Sequence, residues 1–261
     1  MNALSYDLAT VQVLWRRDLM RFFGEPTRVL GALGQPIILW LVLGFGLSPT
    51  FGLRDMAMPY TEFLFPGVVM MVLLFSSIFS TISVIEDRSE GFLQAVLAGP
   101  GSRSALVVGK CLGAASVAML QAGAFLLLAP FAGFAFPDIA WPLLLSTMAL
   151  TSLGLTGFGF LMAWWINSIQ GYHAVQMTLL MPLWVISGAV FPPHTESLTF
   201  VTLMELNPLS YAMSAMRHAF YGGQAPELVT LAVAPELALG VVAGVSGICL
   251  VVAMLTCEAR Q

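Results

Sequence analysis

Residues 139–195, IAWPLLLSTMALTSLGLTGFGFLMAWWINSIQGYHAVQMTLLMPLWVISGAVFPPHT, contain no Asp, Glu, Lys or Arg, and their only ionisable side chains near neutrality are His173 and His194. About 20 apolar residues in a helix cross the roughly 30 Å hydrocarbon core of a bilayer, so this stretch is too long for one crossing and fits two. Asn167-Ser168-Ile169-Gln170-Gly171 supplies the polar turn between them. The same ruler applied outward finds four more uncharged runs. These are 29–53, broken by Pro36 and closed by Ser48-Pro49; 63–85, between Glu62 and Glu86-Asp87; 111–137, with Pro130 near its end; and 237–257, ahead of Glu258 and Arg260. The expectation is an all-α integral membrane protein with six transmembrane helices in one domain over residues 1–261.

Composition excludes the soluble classes. The chain is 58% hydrophobic and 9% charged, where an average soluble domain carries roughly 25% charged residues. No nucleic-acid motif is present. Cys111, Cys249 and Cys257 sit in or at the end of apolar runs without CxxC or Cys/His spacing, so they read as small packing residues and no metal site is expected. The first apolar run starts too late and runs too long for a cleaved signal, so the first helix is expected to stay.

Placement of basic residues sets the expected orientation. With the amino terminus inside, Arg16, Arg17, Arg21, Arg28, Arg88, Arg103, Lys110 and Arg260 are cytoplasmic and only Arg54 and Arg217 are outside. Both termini are then cytoplasmic. Ahead of the first crossing, Leu8, Val11, Trp15, Leu19 and Phe22 recur at three- and four-residue steps while Arg16, Arg17 and Arg21 fall largely on another face. Residues 5–25 are therefore expected to form an interfacial helix.

Two polar segments interrupt the apolar pattern. In residues 86–110, EDRSEGFLQAVLAGPGSRSALVVGK, the acids Glu86, Asp87 and Glu90 precede Phe92, Leu93, Val96 and Leu97 at helical spacing, and Gly99-Pro100-Gly101 follows. Acids favour a helix start and glycine a stop, so a short amphipathic helix is expected, presenting an apolar knob to a soluble partner. In residues 191–235, Pro192-Pro193 and Asn207-Pro208 free backbone groups that hydrocarbon cannot satisfy. Short helices dipping back into the outer leaflet meet that constraint, with Glu205 and Arg217 as candidates to pair across the hairpin.

The motif Glu86-Asp87-Arg88, Gly91-Phe92-Leu93, a Gly-Pro turn, Ser102-Arg103 and Gly109-Lys110 resembles the cytoplasmic signature of type-2 ABC exporter permeases. Residues 15–36, WRRDLMRFFGEPTRVLGALGQP, resemble the connecting helix and first crossing of the drug-resistance and nodulation-factor exporter branch. Ser187-Gly188, Phe191-Pro192 and Asn207-Pro208-Leu209-Ser210-Tyr211 with Arg217 resemble its fifth-crossing end and outer re-entrant hairpin. The resemblance implies a half-transporter paired with a second copy or a close relative, and with two separate ATPase subunits, in the inner (cytoplasmic) membrane among its lipids. It implies that residues 86–100 hold a coupling helix, with Phe92, Leu93 and Val96 as anchors after Gly91 and with Glu86, Asp87 and Arg88 fixing its docking angle. Trp15, Arg16, Arg17 and Arg21 would belong to the connecting helix. Asn207, Pro208, Tyr211 and Arg217 would belong to an outer gate in residues 191–235.

No P-loop is present, so ATP and its Mg are expected on the partner ATPase, with no cofactor and no catalytic residue in this chain. No crossing carries a clear mid-membrane carboxylate, which argues for an outside energy source over proton coupling. An apolar, aromatic route is expected, drawn from residues such as Phe75, Phe79, Trp164, Trp165 and Trp184, most of which are expected to face lipid or neighbouring helices. Close helix contacts are expected at Gly31–Gly34, at Gly154 to Gly159 and at Gly240, Gly244 and Gly247. A membrane-embedded lipid-modifying enzyme would need convergent acids or histidines, and His173, His194 and His218 are scattered between opposite faces of this topology. A non-transporting assembly subunit is the third alternative.

Overall fold

A computed structural model describes residues 3–47, 58–193, 198–223, 225 and 229–259. Among the described residues all regular structure is helical. The elements are α1 (Ala3–Gly24), α2 (Pro26–Leu47), α3 (Tyr60–Ser80), α4 (Ile82–Ser89), α5 (Phe92–Leu97), α6 (Arg103–Leu126), α7 (Ala129–Ala132), α8 (Trp141–Trp165), α9 (Ile169–Trp184), α10 (Leu198–Leu206), α11 (Pro208–Phe220) and α12 (Pro235–Ala259), with a π-helical turn, Val185–Ala189, closing α9.

Among the described residues four stretches are long and apolar enough to cross a membrane: Tyr60–Ser89, which joins α3 and α4, together with α6, α8 and α12. Of the six crossings expected, these account for four. The apolar part of α2, Leu33–Gly46, spans roughly 20 Å at about 1.5 Å per residue. The 16 residues of α9 reach about 24 Å before the π turn. The end of the first expected crossing, residues 48–53, lies outside the described residues. The expected turn at 167–171 falls between the end of α8 and the first turn of α9, where the Ser168 hydroxyl accepts from the Gly171 N–H at 3.1 Å. The third helix starts earlier than the uncharged run suggested. It begins at Arg103, because Ser102 caps it by accepting from the Ala105 N–H, and so takes in Lys110.

α3 is the centre of the bundle. It is apolar on every face, and Phe63 through Leu74 are buried without interruption; a helix of that kind has to be surrounded. α2, α6, α7, α8, α9 and α11 pack around it. Tyr172 of α9 stitches the junction of α3 and α4: its hydroxyl lies 2.7 Å from Thr81 Oγ1 and donates to the carbonyls of Ile78 and Gly159. α12 lies at the periphery against α8, where Ser246 donates to the Leu150 carbonyl at 2.7 Å and Gly154 and Gly157 admit the α12 backbone.

The expected glycine contacts divide. Gly154, Gly157 and Gly159 make close helix approaches, whereas a methyl group at Gly31, Gly34, Gly240, Gly244 or Gly247 would touch nothing within 4 Å in the single chain. Among the described glycines the tightest approach to another segment's backbone is at Gly67 of α3, where a methyl would stand 2.4 Å from the Ala189 carbonyl oxygen. Gly67→Ala is therefore expected to lose about 1–3 kcal/mol of stability through overpacking. Gly244→Ala, in open space, is expected to be neutral or to gain the roughly 0.5–1 kcal/mol of helix preference. Thermal unfolding of the two variants in detergent checks the contrast.

Candidate functional site

One end of the bundle gathers the charges, and α1 brings many of them there. The side facing it is cleared by Gly101, just ahead of α6, and by Gly109 and Gly113 of α6, where added methyls would stand 2.3 Å from Thr10, 3.0 Å from Leu14 and 2.9 Å from Asp18. Residues 14, 17, 18 and 21 share one helical face and turn inward. This shifts the roles expected for α1: Leu14 and Phe22 are buried, while Leu8 and Trp15 stay exposed, Trp15 donating its indole N–H to Ser116. Arg16 is exposed.

Asp87, fully buried in the last turns of α4, is the hub. Arg17 grips it with two parallel bonds of 2.7 and 2.8 Å, and Lys110 of α6 lies 2.5 Å from its other side. Lys110 also reaches Asp18 at 3.0 Å and Ser83 at 3.3 Å. Arg21 pairs with Glu86 at 3.1 Å and comes within 4.0 Å of Glu90. Bidentate pairing of this kind is among the strongest side-chain contacts. The bond to Asp87 raises the affinity of Arg17 for its proton, and burial pushes the Asp18 carboxyl upward against the pull of Lys110. Arg88 faces away, bonding Asn167 and the Ala163 and Trp164 carbonyls at the end of α8. The partners of Asp87 and the described bonds of Arg88 are thus within the chain.

The single helix expected over 86–97 is two. Glu86 and Asp87 belong to α4, which follows α3 after one residue, and Gly91 turns the chain with φ +77°, a conformation that disfavours a side chain, before six-residue α5. Phe92 lies under the Arg17 guanidinium, 3.8 Å from its ring centroid. Leu93 is buried in the protein's own core, Phe92 and Val96 are half-buried, and Gln94, Ala95 and Ala98 are exposed. Beyond it, Asp7 accepts from the Ser102 N–H, and Arg103 and Ser104 bond the last turn of α12 at Cys257 and Glu258. Both ends of the described chain therefore meet here.

From this end a cavity of about 430 Å³ runs between α2, α3, α6 and α9. Glu86 lines it at the charged end and Met71 deep inside, which along α3 and α4 amounts to roughly 22 Å. Phe75 and Phe79, stacked at 5.7 Å, line it with Gln35, Gln121 and His173. The other aromatic residues expected on the route go elsewhere. Trp184 is buried and donates to the Gly67 carbonyl, Trp164 stacks on Phe160, and Trp165 is exposed on the outside of α8.

At the opposite end the outer-gate residues cluster around the π turn. Asn207 caps α11 and donates to the Leu183 carbonyl at 2.7 Å, Pro208 takes the first position of α11, and half-buried Tyr211 packs against the core. The expected pairing of Arg217 with Glu205 is not formed. Glu205 is exposed on α10, and Arg217 is buried, bonding two backbone carbonyls instead.

These features define a multi-pass helical membrane protein with a charged end organised around a short surface helix. Residues 9–221 match the model of the ABC-2 type transporter family, and the chain belongs to that family. Nodulation protein J of Sinorhizobium fredii (strain NBRC 101917 / NGR234) is 32% identical over 214 residues, covering 79% of each chain. The putative transport permease ycf38 of Cyanophora paradoxa is 26% identical over 213 residues, 80% of this chain and 73% of the relative. The probable multidrug ABC transporter permease YbhR of Escherichia coli (strain K12) is 24% identical over 192 residues, 71% of this chain and 50% of the relative. The protein is a transport permease by family.

Asp87→Asn removes the anion held between Arg17 and Lys110 and is expected to destabilise the chain by about 3 kcal/mol, the order found when one member of a buried pair is lost. Lys110 keeps Asp18 as a partner at 3.0 Å, so adding Lys110→Met, which strands that carboxylate, is expected to deepen the loss. Melting of the single and double variants in detergent checks both.

Proposed function

We propose that this chain is the membrane half of an ATP-driven exporter. Two copies, or this chain and a close relative, work with two separate ATPase subunits to move an apolar or amphipathic solute of the drug, lipid or glycan type out of the cell. In this reading α2 and α9 complete six crossings, the charged end and both termini face the cytoplasm of the inner membrane, and α10 and α11 form the outer re-entrant gate. ATP and Mg belong to the partner.

The observation that carries the proposal is the cavity that begins at Glu86, beside the surface helix α5, and ends deep among apolar side chains at Met71. Solute access and the element suited to meet an ATPase lie at the same end. α5 is short, set off by Gly91, and tied to α1, α4 and α6 through Phe92, Arg17, Asp87 and Lys110. A push on α5 therefore reaches the helices that wall the cavity. The face available for docking is Gln94, Ala95 and Ala98, with the exposed flanks of Phe92 and Val96.

The test separates docking from folding. Ala95→Asp with Ala98→Asp places two charges on the exposed side of α5 without entering the core. Unchanged melting of the permease, loss of ATPase co-purification and loss of transport are the expected results; ATPase that still co-purifies at the normal ratio sinks the docking assignment. Phe75→Ala with Phe79→Ala is expected to cut transport several-fold while ATPase binding persists, measured as solute uptake into inverted vesicles.

A further inference from the structure

The π turn after α9 is bound by an unusual number of side chains. A π turn misaligns the backbone ladder and frees carbonyls, and Gly188 within it sits at φ +86°. Ser187 Oγ donates to the Trp184 carbonyl at 2.6 Å and Asn207 Nδ2 to that of Leu183 at 2.7 Å. The Tyr60 hydroxyl donates to Val190 at 3.1 Å, and Arg217 Nη2 to Gly188 at 2.7 Å. Arg217 Nη1 donates to the Val229 carbonyl, and its guanidinium lies 4.1 Å from the centroid of the Phe63 ring. α3, the π turn, α11 and residue 229 thus meet on one side chain.

The chemistry of that meeting is unbalanced. Arg217 is 1% exposed, its Nε has no partner, and among the described residues no carboxylate reaches it. A buried cation held only by neutral carbonyls and a ring recovers hydration when it is exposed, whereas an ion pair would stay shut. The closed arrangement is favoured by several hydrogen bonds and opposed by the dehydrated charge, which leaves it poised between two states.

We infer that Arg217 is a latch and Gly188 the hinge of the outer end: the guanidinium holds the segment leaving α9 closed against α3, and that segment swings at Gly188 when the latch lets go. Calling the swinging segment a gate rests on the exporter reading; the two-state latch does not. Arg217 is a positioning residue here, acting through the Gly188 carbonyl.

Spin labels at Leu203 on α10 and Phe131 on α7, both exposed, report this motion by pulsed distance measurement on the full chain in nanodiscs, diluted with unlabelled chain, without ATPase or solute. The unsubstituted chain is expected to give one dominant short distance. Arg217→Met keeps side-chain bulk and removes the charge. It is expected to raise the ratio of a longer component roughly tenfold or more, because the hydrogen bonds lost outweigh the dehydration relieved, and to lower melting as the Gly188 and Val229 carbonyls lose their donor. Tyr60→Phe keeps the ring and removes the hydroxyl that donates to Val190, and is expected to raise the same ratio roughly two- to tenfold. A distribution for Arg217→Met that superimposes on the parent overturns the latch. If that variant does not fold, an unchanged distribution for Arg217→Lys, which keeps the charge and loses the two-pronged hold on Gly188 and Val229, overturns it. Variants that shift the distances in a chain that then fails to transport with its ATPase leave the latch standing and count against the exporter reading alone.

Discussion

A carbonyl released from its helical partner inside hydrocarbon finds no water, so every break in a membrane helix must be answered by a side chain from elsewhere. That constraint organises this protein. Where α3 gives way to α4 at Thr81, the answer comes from the threonine itself and from Tyr172 of α9. Where α9 unwinds, it comes from Ser187, Asn207, Tyr60 and Arg217. Each answering residue lies on, or directly beside, a helix that then cannot move independently. The irregular points of the chain are accordingly the points at which its helices are bound to one another.

Charge obeys the same rule at the other end. Asp87 is carried below the surface by α4, and its neutralisation recruits Arg17 from α1 and Lys110 from α6. α1, which is not among the stretches long and apolar enough to cross a membrane, becomes part of the bundle through that carboxylate and through the glycine-lined side of α6. The short α5 inherits its position from the same contacts, because Phe92 sits beneath the guanidinium that Asp87 holds still. Stiffness at this end and a poised junction at the other suit the exporter proposed above, in which a push on α5 is carried across the bundle.

Features with a local cause were legible in the sequence. Long uncharged runs marked the helices, the Asn167–Gly171 turn separated α8 from α9, and Asn207-Pro208 marked the backbone break at which α11 begins. Features with a distant cause were not. Arg17 and Asp87 lie 70 positions apart, and nothing in either neighbourhood announces the other. The inward roll of α1 depends on Gly101 in the loop before α6 and on Gly109 and Gly113, whose four-residue spacing on one face of α6 was the available sign. The length of the apolar run hid the π turn, since Val185–Ala189 remains hydrophobic while its backbone changes register. Arg217 was recognised as important, but its partners are main-chain atoms, which no pairing of opposite charges in the sequence could reveal.

The sharing of Asp87 among three helices also has a timetable. During synthesis Arg17 emerges long before Asp87, and Lys110 follows only after α4 and α5 have been made. Until then the carboxylate has the arginines of α1 but not Lys110 to neutralise it, and α1 has no completed α6 against which to lie. Docking of the first helix therefore waits on the fourth long one, α6. A ribosome stalled between residues 90 and 110 would hold a nascent chain whose leading segment is still loose.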